Sequence, residues 1–550
     1  MKLPTTQALQ LAVLAHRNGE LAKAEQFYRA IIDIPKASLT SSTDPGIIAL
    51  AHNNLGFIQQ HRGELDAAIK NYRRASRVKP DYHEAFNNLG YALQLNGDMK
   101  AAIESYKKAI DVNSVYVEAY HNLGYALQST GELKASTECY QKIVEIQPGN
   151  ADAHNALGAA MQLKGDLEAA VSSYAKAVEL NPEYFEALNN MGSALLANGD
   201  PDAAIDCCHQ AIALKTDYAN AYNNLGHALS EKGETGAAID AYESALKYGE
   251  DSPQAYNSLG NALRAGGDYA GALKYFDVLS GPKFKKDLDE NLYQHEFWLN
   301  TKSQSLECLY ILGRYAELEQ RLQSLYDSVD INRRVAAVSA FVSHQLKLED
   351  RHRFCTNPLD FIHVGNLQSH IAEVDGFTKR LVLEGLGENQ VWEPKHGVTK
   401  SGYQTPNTIF TAGENCELLE KILREEIASY HARFKTENCG YMELWPKEFT
   451  LRGWHVRLVK SGYQNPHIHP GGWLSGIVYL KTLDLDSDEG AIEFSLHGAD
   501  LPILDASYPR LVHRPKRGEI VLFPSSLFHR TIPYNQETDR CVIAFDLLRS

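Results

Sequence analysis

The chain has 550 residues, with 54 basic and 69 acidic side chains and a formal charge of −15. Hydrophobic residues make up 44% and charged residues 22%, as in a folded globular protein, and the acidic balance argues against a protein that works by neutralising nucleic-acid phosphates. No apolar run reaches membrane-spanning length, and the N-terminus lacks the apolar stretch of a signal peptide. Eight cysteines without C-x-x-C spacing imply reduced thiols in a cytoplasm, with Cys207 and Cys208 filling core.

In chain order, residues 1–47 read as one helical unit plus an insertion. Gly19 lies 44 residues before Gly63, which places roughly ten extra residues around Thr40–Gly46. Residues 48–286 carry a strict repeat. A Leu-Gly or Met-Gly pair returns every 34 residues from Leu55-Gly56 to Leu259-Gly260, and a second glycine keeps step from Gly63 to Gly267. A small residue and then an aromatic follow it, from Ala68 and Tyr72 to Ala272 and Phe276, with Cys208 in the aromatic's place in one unit. Two helices with apolar spacing of three and four flank the second glycine. The first glycine and the small residue let the two approach closely, and the aromatic fills the space beside them. One pair cannot bury its apolar face alone, so the units must stack into an α-solenoid. The pattern resembles the tetratricopeptide repeat family over about 48–286. Residues 287–375 read as a connector, with degenerate helical pairs over 304–347.

The residue before each Leu/Met-Gly is Asn54, Asn88, Asn122, Ala156, Asn190, Asn224 and Ser258. An amide donates and accepts as a peptide group does, so a ladder of them can hold an extended polypeptide by its backbone. The arrangement looks like the asparagine ladder of the O-linked N-acetylglucosamine transferase superhelix. A plainer role stays open, in which these amides cap or bridge neighbouring helices. Glu84, Glu118, Asp152 and Glu186 at the helix starts favour a neutral or basic partner segment.

Near residue 380 the helical rhythm stops. The stretch Val391–Phe410 reads as strand and turn, and 414–434 as one more amphipathic helix. Short β-rich runs follow at 454–462, 473–480, 490–496, 518–524 and 540–548. Many short strands in succession make a sandwich or barrel, here a fused domain over 376–550.

That domain contains His467-Ile-His469, whose imidazoles share one face of a strand, then the turn Pro515–Gly518, an apolar strand, His529 and Arg540. The order resembles the 2-oxoglutarate- and iron(II)-dependent oxygenases, whose double-stranded β-helix (jelly roll) carries His-x-Asp/Glu, a distal His, and an Arg about ten residues later. The stretches KSGYQTPNTIF, NPHIHPGGWLSGIVYL and GEIVLFPSSLFHRTIP are similar to the oxygenases of that superfamily that follow tetratricopeptide repeats or occur alone.

The resemblance implies Fe(II) and 2-oxoglutarate. It makes His467 and His529 metal ligands, puts Arg540 on the distal carboxylate of 2-oxoglutarate with Tyr479 beside it, and makes Ser475 a further candidate for the co-substrate. His469 stands where the family has a carboxylate. Three ligand sets follow: all three histidines; His467 and His529 completed by water; or an acid such as Glu493 brought in from elsewhere. A germin-type cupin also begins with His-x-His, but its following glutamate is absent from Pro470–Leu474.

The expected function is a dioxygenase that hydroxylates a protein or peptide held in the repeat groove by Asn54, Asn88, Asn122, Asn190 and Asn224. Two alternatives stay open: a non-catalytic scaffold with a ligand-binding β-domain, and a small-molecule oxygenase. Neither nucleic acid nor membrane is an expected partner, and an exposed repeat end leaves homo-oligomerisation open.

Overall fold

The computed structural model describes residues 4–33, 44–249, 252–281, 284, 292–326, 332–350, 352, 354–355, 357–386, 390–393, 398–407, 409–483, 485–498 and 501–549. Most of the expected insertion, from Thr40 to Thr43, lies outside them. The chain divides into two compact units, 1–250 and 251–550.

The first unit is an array of antiparallel helix pairs. It opens with Thr5–Arg17 and Leu21–Ile32, continues through Pro45–His61 and Leu65–Val78, and ends with Ala219–Lys232 and Thr235–Lys247. The glycine between paired helices is left-handed, as at Gly63 (φ +78°) and Gly97 (φ +84°), a conformation that costs a side chain with a Cβ. The Leu-Gly glycine serves packing instead. A Cβ on Gly90 would sit 2.6 Å from the Tyr106 ring, and one on Gly226 would sit 2.6 Å from Tyr242. Each aromatic is buried, and Tyr106 and Tyr174 still reach Gln94 and Gln162 through their hydroxyls at 2.9 Å. Cys207 and Cys208 are buried, with Cys208 taking the aromatic's place against Gly192; none of the eight cysteines is in a disulfide.

The second unit begins with the last repeat pair, Pro253–Ala265 and Tyr269–Ser280, followed by helices Leu292–Ile311, Tyr315–Tyr326 and Arg333–Leu346. These helices are tied to the β-domain within the same unit. Tyr310 donates its hydroxyl to the Pro502 carbonyl at 2.8 Å. Gln345 donates to the Asp505 carbonyl at 2.9 Å and accepts from the Leu504 and Asp505 amides at 2.7 Å each.

The β-domain is one curled antiparallel sheet of the jelly-roll type. Its strands are β1 (His363–Asn366), β2 (Val391–Trp392), β3 (Thr399–Gln404), β4 (Phe449–His467), β5 (Leu474–Lys481), β6 (Ile492–Ser495), β7 (Arg510–His513), β8 (Glu519–Pro524), β9 (Phe528–Thr531) and β10 (Arg540–Arg549). The neighbour order is β1-β8-β5-β10-β4-β9-β6-β7, with β3 against β4 and β2 against β3. Strand β4 joins the two halves. Its first part pairs with β10, and beyond a left-handed Ser461 (φ +62°) its end pairs with β9.

Alternation along β4, β5, β8 and β10 sends one set of side chains inward. Val456, Leu458, Ile477, Tyr479, Val521, Phe523 and Val542 form the inner core with Phe494. The opposite face packs on the helix Glu414–Phe434 through Leu474, Val478, Ile520, Leu522, Ile543 and Phe545.

Candidate metal centre

His467 ends β4 and lies directly opposite His529 of β9, which in turn pairs with Phe494 of β6. His469 follows in the turn to β5, its amide fixed by the Ser525 carbonyl at 3.0 Å. Ring centroids are 4.2 Å apart for His467 and His529, 5.1 Å for His469 and His529, and 5.2 Å for His467 and His469. One ring nitrogen from each lies within 4.8 Å of the other two, an arrangement able to hold a metal ion.

The hydrogen bonds decide which nitrogen is free. Each Nδ1 faces an oxygen that can only accept: the Asn465 carbonyl for His467 (2.7 Å), the Leu527 carbonyl for His529 (3.2 Å), and Asp546 Oδ1 for His469 (2.6 Å). With the proton on Nδ1, every Nε2 lone pair is left for a ligand. Burial and the neighbouring His469 push the protonation of His467 down to about 3, and burial likewise keeps His529 neutral. Neutral imidazoles are what a cation requires.

Glu493 is turned away from this point. It ion-pairs with Arg530 at 3.0 Å, and its strand neighbour Phe494 is the residue that packs toward His529.

Arg540 opens β10 and is 2% exposed, yet its Nε and Nη1 have no hydrogen-bond partner. Tyr479 lies beneath it with the guanidinium 5.2 Å from the ring centre, and its hydroxyl has no aligned partner either. Burial pushes that hydroxyl's pKa up to about 12, so it stays protonated and remains a donor. A buried cation with unmet N–H groups beside an unmet O–H is an arrangement that fits an incoming carboxylate. Tyr479 lies four positions along β5 from Ser475, about 13 Å at strand rise. Ser475 is not directed at that end: its hydroxyl bonds Asp546 Oδ1 at 2.7 Å and Ser525 Oγ at 2.8 Å.

In the array, the amide rungs are stitched to one another. Asn88, Asn122, Asn190 and Asn224 each donate to the asparagine 35 positions earlier, at 2.9–3.1 Å, while Asn54 donates to Tyr28 Oη at 3.1 Å. Three positions beyond the first three rungs stand Phe57, Tyr91 and Tyr125, which are 40%, 42% and 53% exposed. Sequence reading missed both this row and Asp546. The first was legible in the 34-residue spacing of aromatics, the second only through the strand pairing that brings Asp546 opposite Ser475.

Residues 452–546 match the family described as "Putative 2OG-Fe(II) oxygenase", and tetratricopeptide repeat families match segments from 60–97 through 223–282. No curated protein matches the chain. Similar solved structures include MamA (28% identity over 30% of this chain and 95% of that one, TM-score 0.28). They also include YrrB, described as a TPR protein with an unusual peptide-binding site (21%, 34% and 95%, TM-score 0.29), and PilF of Pseudomonas aeruginosa (20%, 40% and 97%, TM-score 0.32). No helix among the described residues is long and apolar enough to cross a membrane. The chain thus carries tetratricopeptide repeats within 60–282, followed by a segment, 452–546, that matches the 2-oxoglutarate/iron(II) oxygenase family model.

Proposed function

We propose that the β-domain is a 2-oxoglutarate-dependent hydroxylase acting on a protein or peptide gathered by the repeats. The observation that supports it most is the convergence of three imidazoles, each with Nδ1 bonded to an accepting oxygen and Nε2 free. His467, His469 and His529 would hold Fe(II), which supplies oxygen activation coupled to decarboxylation of 2-oxoglutarate. Arg540 and Tyr479 bind the distal carboxylate and set the direction in which the co-substrate lies. The apolar interior formed by Ile477, Phe494, Phe523 and Val542 excludes water from that end.

On the repeats, the asparagine rungs Asn54, Asn88, Asn122, Asn190 and Asn224 bond the backbone of an extended segment. Phe57, Tyr91 and Tyr125 take its apolar side chains, since each lies three positions from a rung on the same helix face. Stitching uses one of the two amide protons of each donating rung and leaves the other for a guest. Carried on the same chain, the array raises the local concentration of substrate.

The test is succinate formation from 2-oxoglutarate with Fe(II) and the full chain. Turnover that is lost in His529→Ala and in Arg540→Ala supports the reading. Absence of turnover together with absence of metal and 2-oxoglutarate binding removes it in favour of a scaffold.

A further inference from the structure

The three imidazoles are not equivalent. His467 and His529 each give their Nδ1 proton to a neutral backbone carbonyl, whereas His469 gives it to a carboxylate, Asp546 Oδ1, at 2.6 Å. That carboxylate is itself held. Ser475 Oγ donates to the same oxygen at 2.7 Å and meets Ser525 Oγ at 2.8 Å, while the Ser525 carbonyl fixes the backbone of His469 at 3.0 Å. The pair is largely enclosed, with side-chain exposures of 12% for His469 and 13% for Asp546. A Cβ on Gly472 would stand 2.6 Å from Ser525 Oγ and 3.1 Å from Asp546 Oδ1, so a glycine there leaves room for the assembly.

We propose that Asp546 is a positioning residue that makes His469 a full member of the ligand set. This rests on the metal centre proposed above. Three neutral imidazoles leave a bound divalent ion with no anion in contact. Asp546 returns one negative charge immediately behind His469, fixes its tautomer and ring plane, and increases the basicity of Nε2. His469 with Asp546 behind it thus does the work of a single ligand carboxylate. Ser475 takes the role of holding Asp546 rather than the co-substrate.

The experiment uses the metal-free full chain and Co(II), read by equilibrium dialysis and by the absorption spectrum of the bound ion. Asp546→Asn keeps the shape and an acceptor but removes the charge. Its affinity for Co(II) is expected to fall about 10–100-fold, with an altered spectrum and an unchanged melting temperature of the metal-free protein. In a His469→Ala background the same substitution is expected to change affinity by less than about twofold, because its effect passes through that ring. Ser475→Ala is expected to weaken binding several-fold.

Affinity of Asp546→Asn within twofold of wild type overturns the inference, as does an equal loss with and without His469. If Asp546→Asn fails to fold, an unchanged affinity in Ser475→Ala overturns it instead. Wild type that binds Co(II) while the variants do so equally defeats only this inference. Wild type that binds none defeats the metal centre as well.

Discussion

Arginine at position 540 is buried with two N–H-bearing nitrogens unmet, so its cost is repaid only when an acceptor arrives. A lysine there would keep the charge but lose the planar fork. Arg540→Lys is therefore expected to weaken 2-oxoglutarate binding about tenfold or more while leaving Co(II) affinity unchanged, as measured by calorimetric titration of the metal-loaded protein. A second buried group tests the electrostatics away from the site. Asp350 is enclosed near the helix Arg333–Leu346, with Ser339 Oγ and the His352 amide on Oδ1 and no partner on Oδ2. Burial raises its carboxyl to about 6. The folded state therefore takes up this proton more readily than the unfolded chain, whose carboxyl titrates near the ordinary value of about 4. This group's contribution to stability is fullest below about pH 4, declines as pH rises toward about 6, and is level beyond it. Asp350→Asn is expected to flatten that slope and to stabilise the protein at pH 7 by up to about 3 kcal/mol, checked by urea denaturation at pH 4.5 and 7.

At the scale of elements, the repeat's two glycines do different jobs and should fail differently. Gly90→Ala drives a methyl into the Tyr106 ring and is expected to cost about 1–3 kcal/mol through overpacking. Gly97→Ala meets no atom and is expected to cost about 1 kcal/mol through its left-handed backbone alone. Thermal melts of the two variants distinguish them. The helices of the array were legible because their period is enforced by packing at every turn. The runs that became β4, β5, β6, β8 and β10 were legible because they are apolar and bounded by turn residues. The strands β1 and β7 were not read as strands. Each has four residues, too few for alternation to declare itself, and pairing with β8 and with β6 respectively makes them extended. The extent of β4 was also hidden, since its bend at Ser461 interrupts the pattern a straight strand would show. His467 and His469 stand out as a local motif, but Asp546 lies 77 residues from His469 and became visible only with the pairing of β10 and β5.

For the whole molecule, the chemistry and the repeats occupy stretches of chain that a spectroscopic probe can separate. All five tryptophans, from Trp298 to Trp473, fall after residue 251, within the second compact unit. Trp454 also packs 5.5 Å from His469. Tryptophan emission thus reports the unit that carries the imidazoles, while far-ultraviolet circular dichroism is dominated by helices of the array. Metal at about 100 times its dissociation constant is expected to stabilise the tryptophan-monitored transition by about 2.7 kcal/mol, and His529→Ala should abolish the shift.

The most direct measurement is anaerobic equilibrium dialysis of the full chain with Fe(II), with and without 2-oxoglutarate, for wild type, His467→Ala and His529→Ala. One iron per wild-type chain is expected, with tighter retention when 2-oxoglutarate is present and loss of iron in both variants. Iron that binds equally well without either imidazole, or a wild-type chain that retains none, would contradict the proposed metal centre.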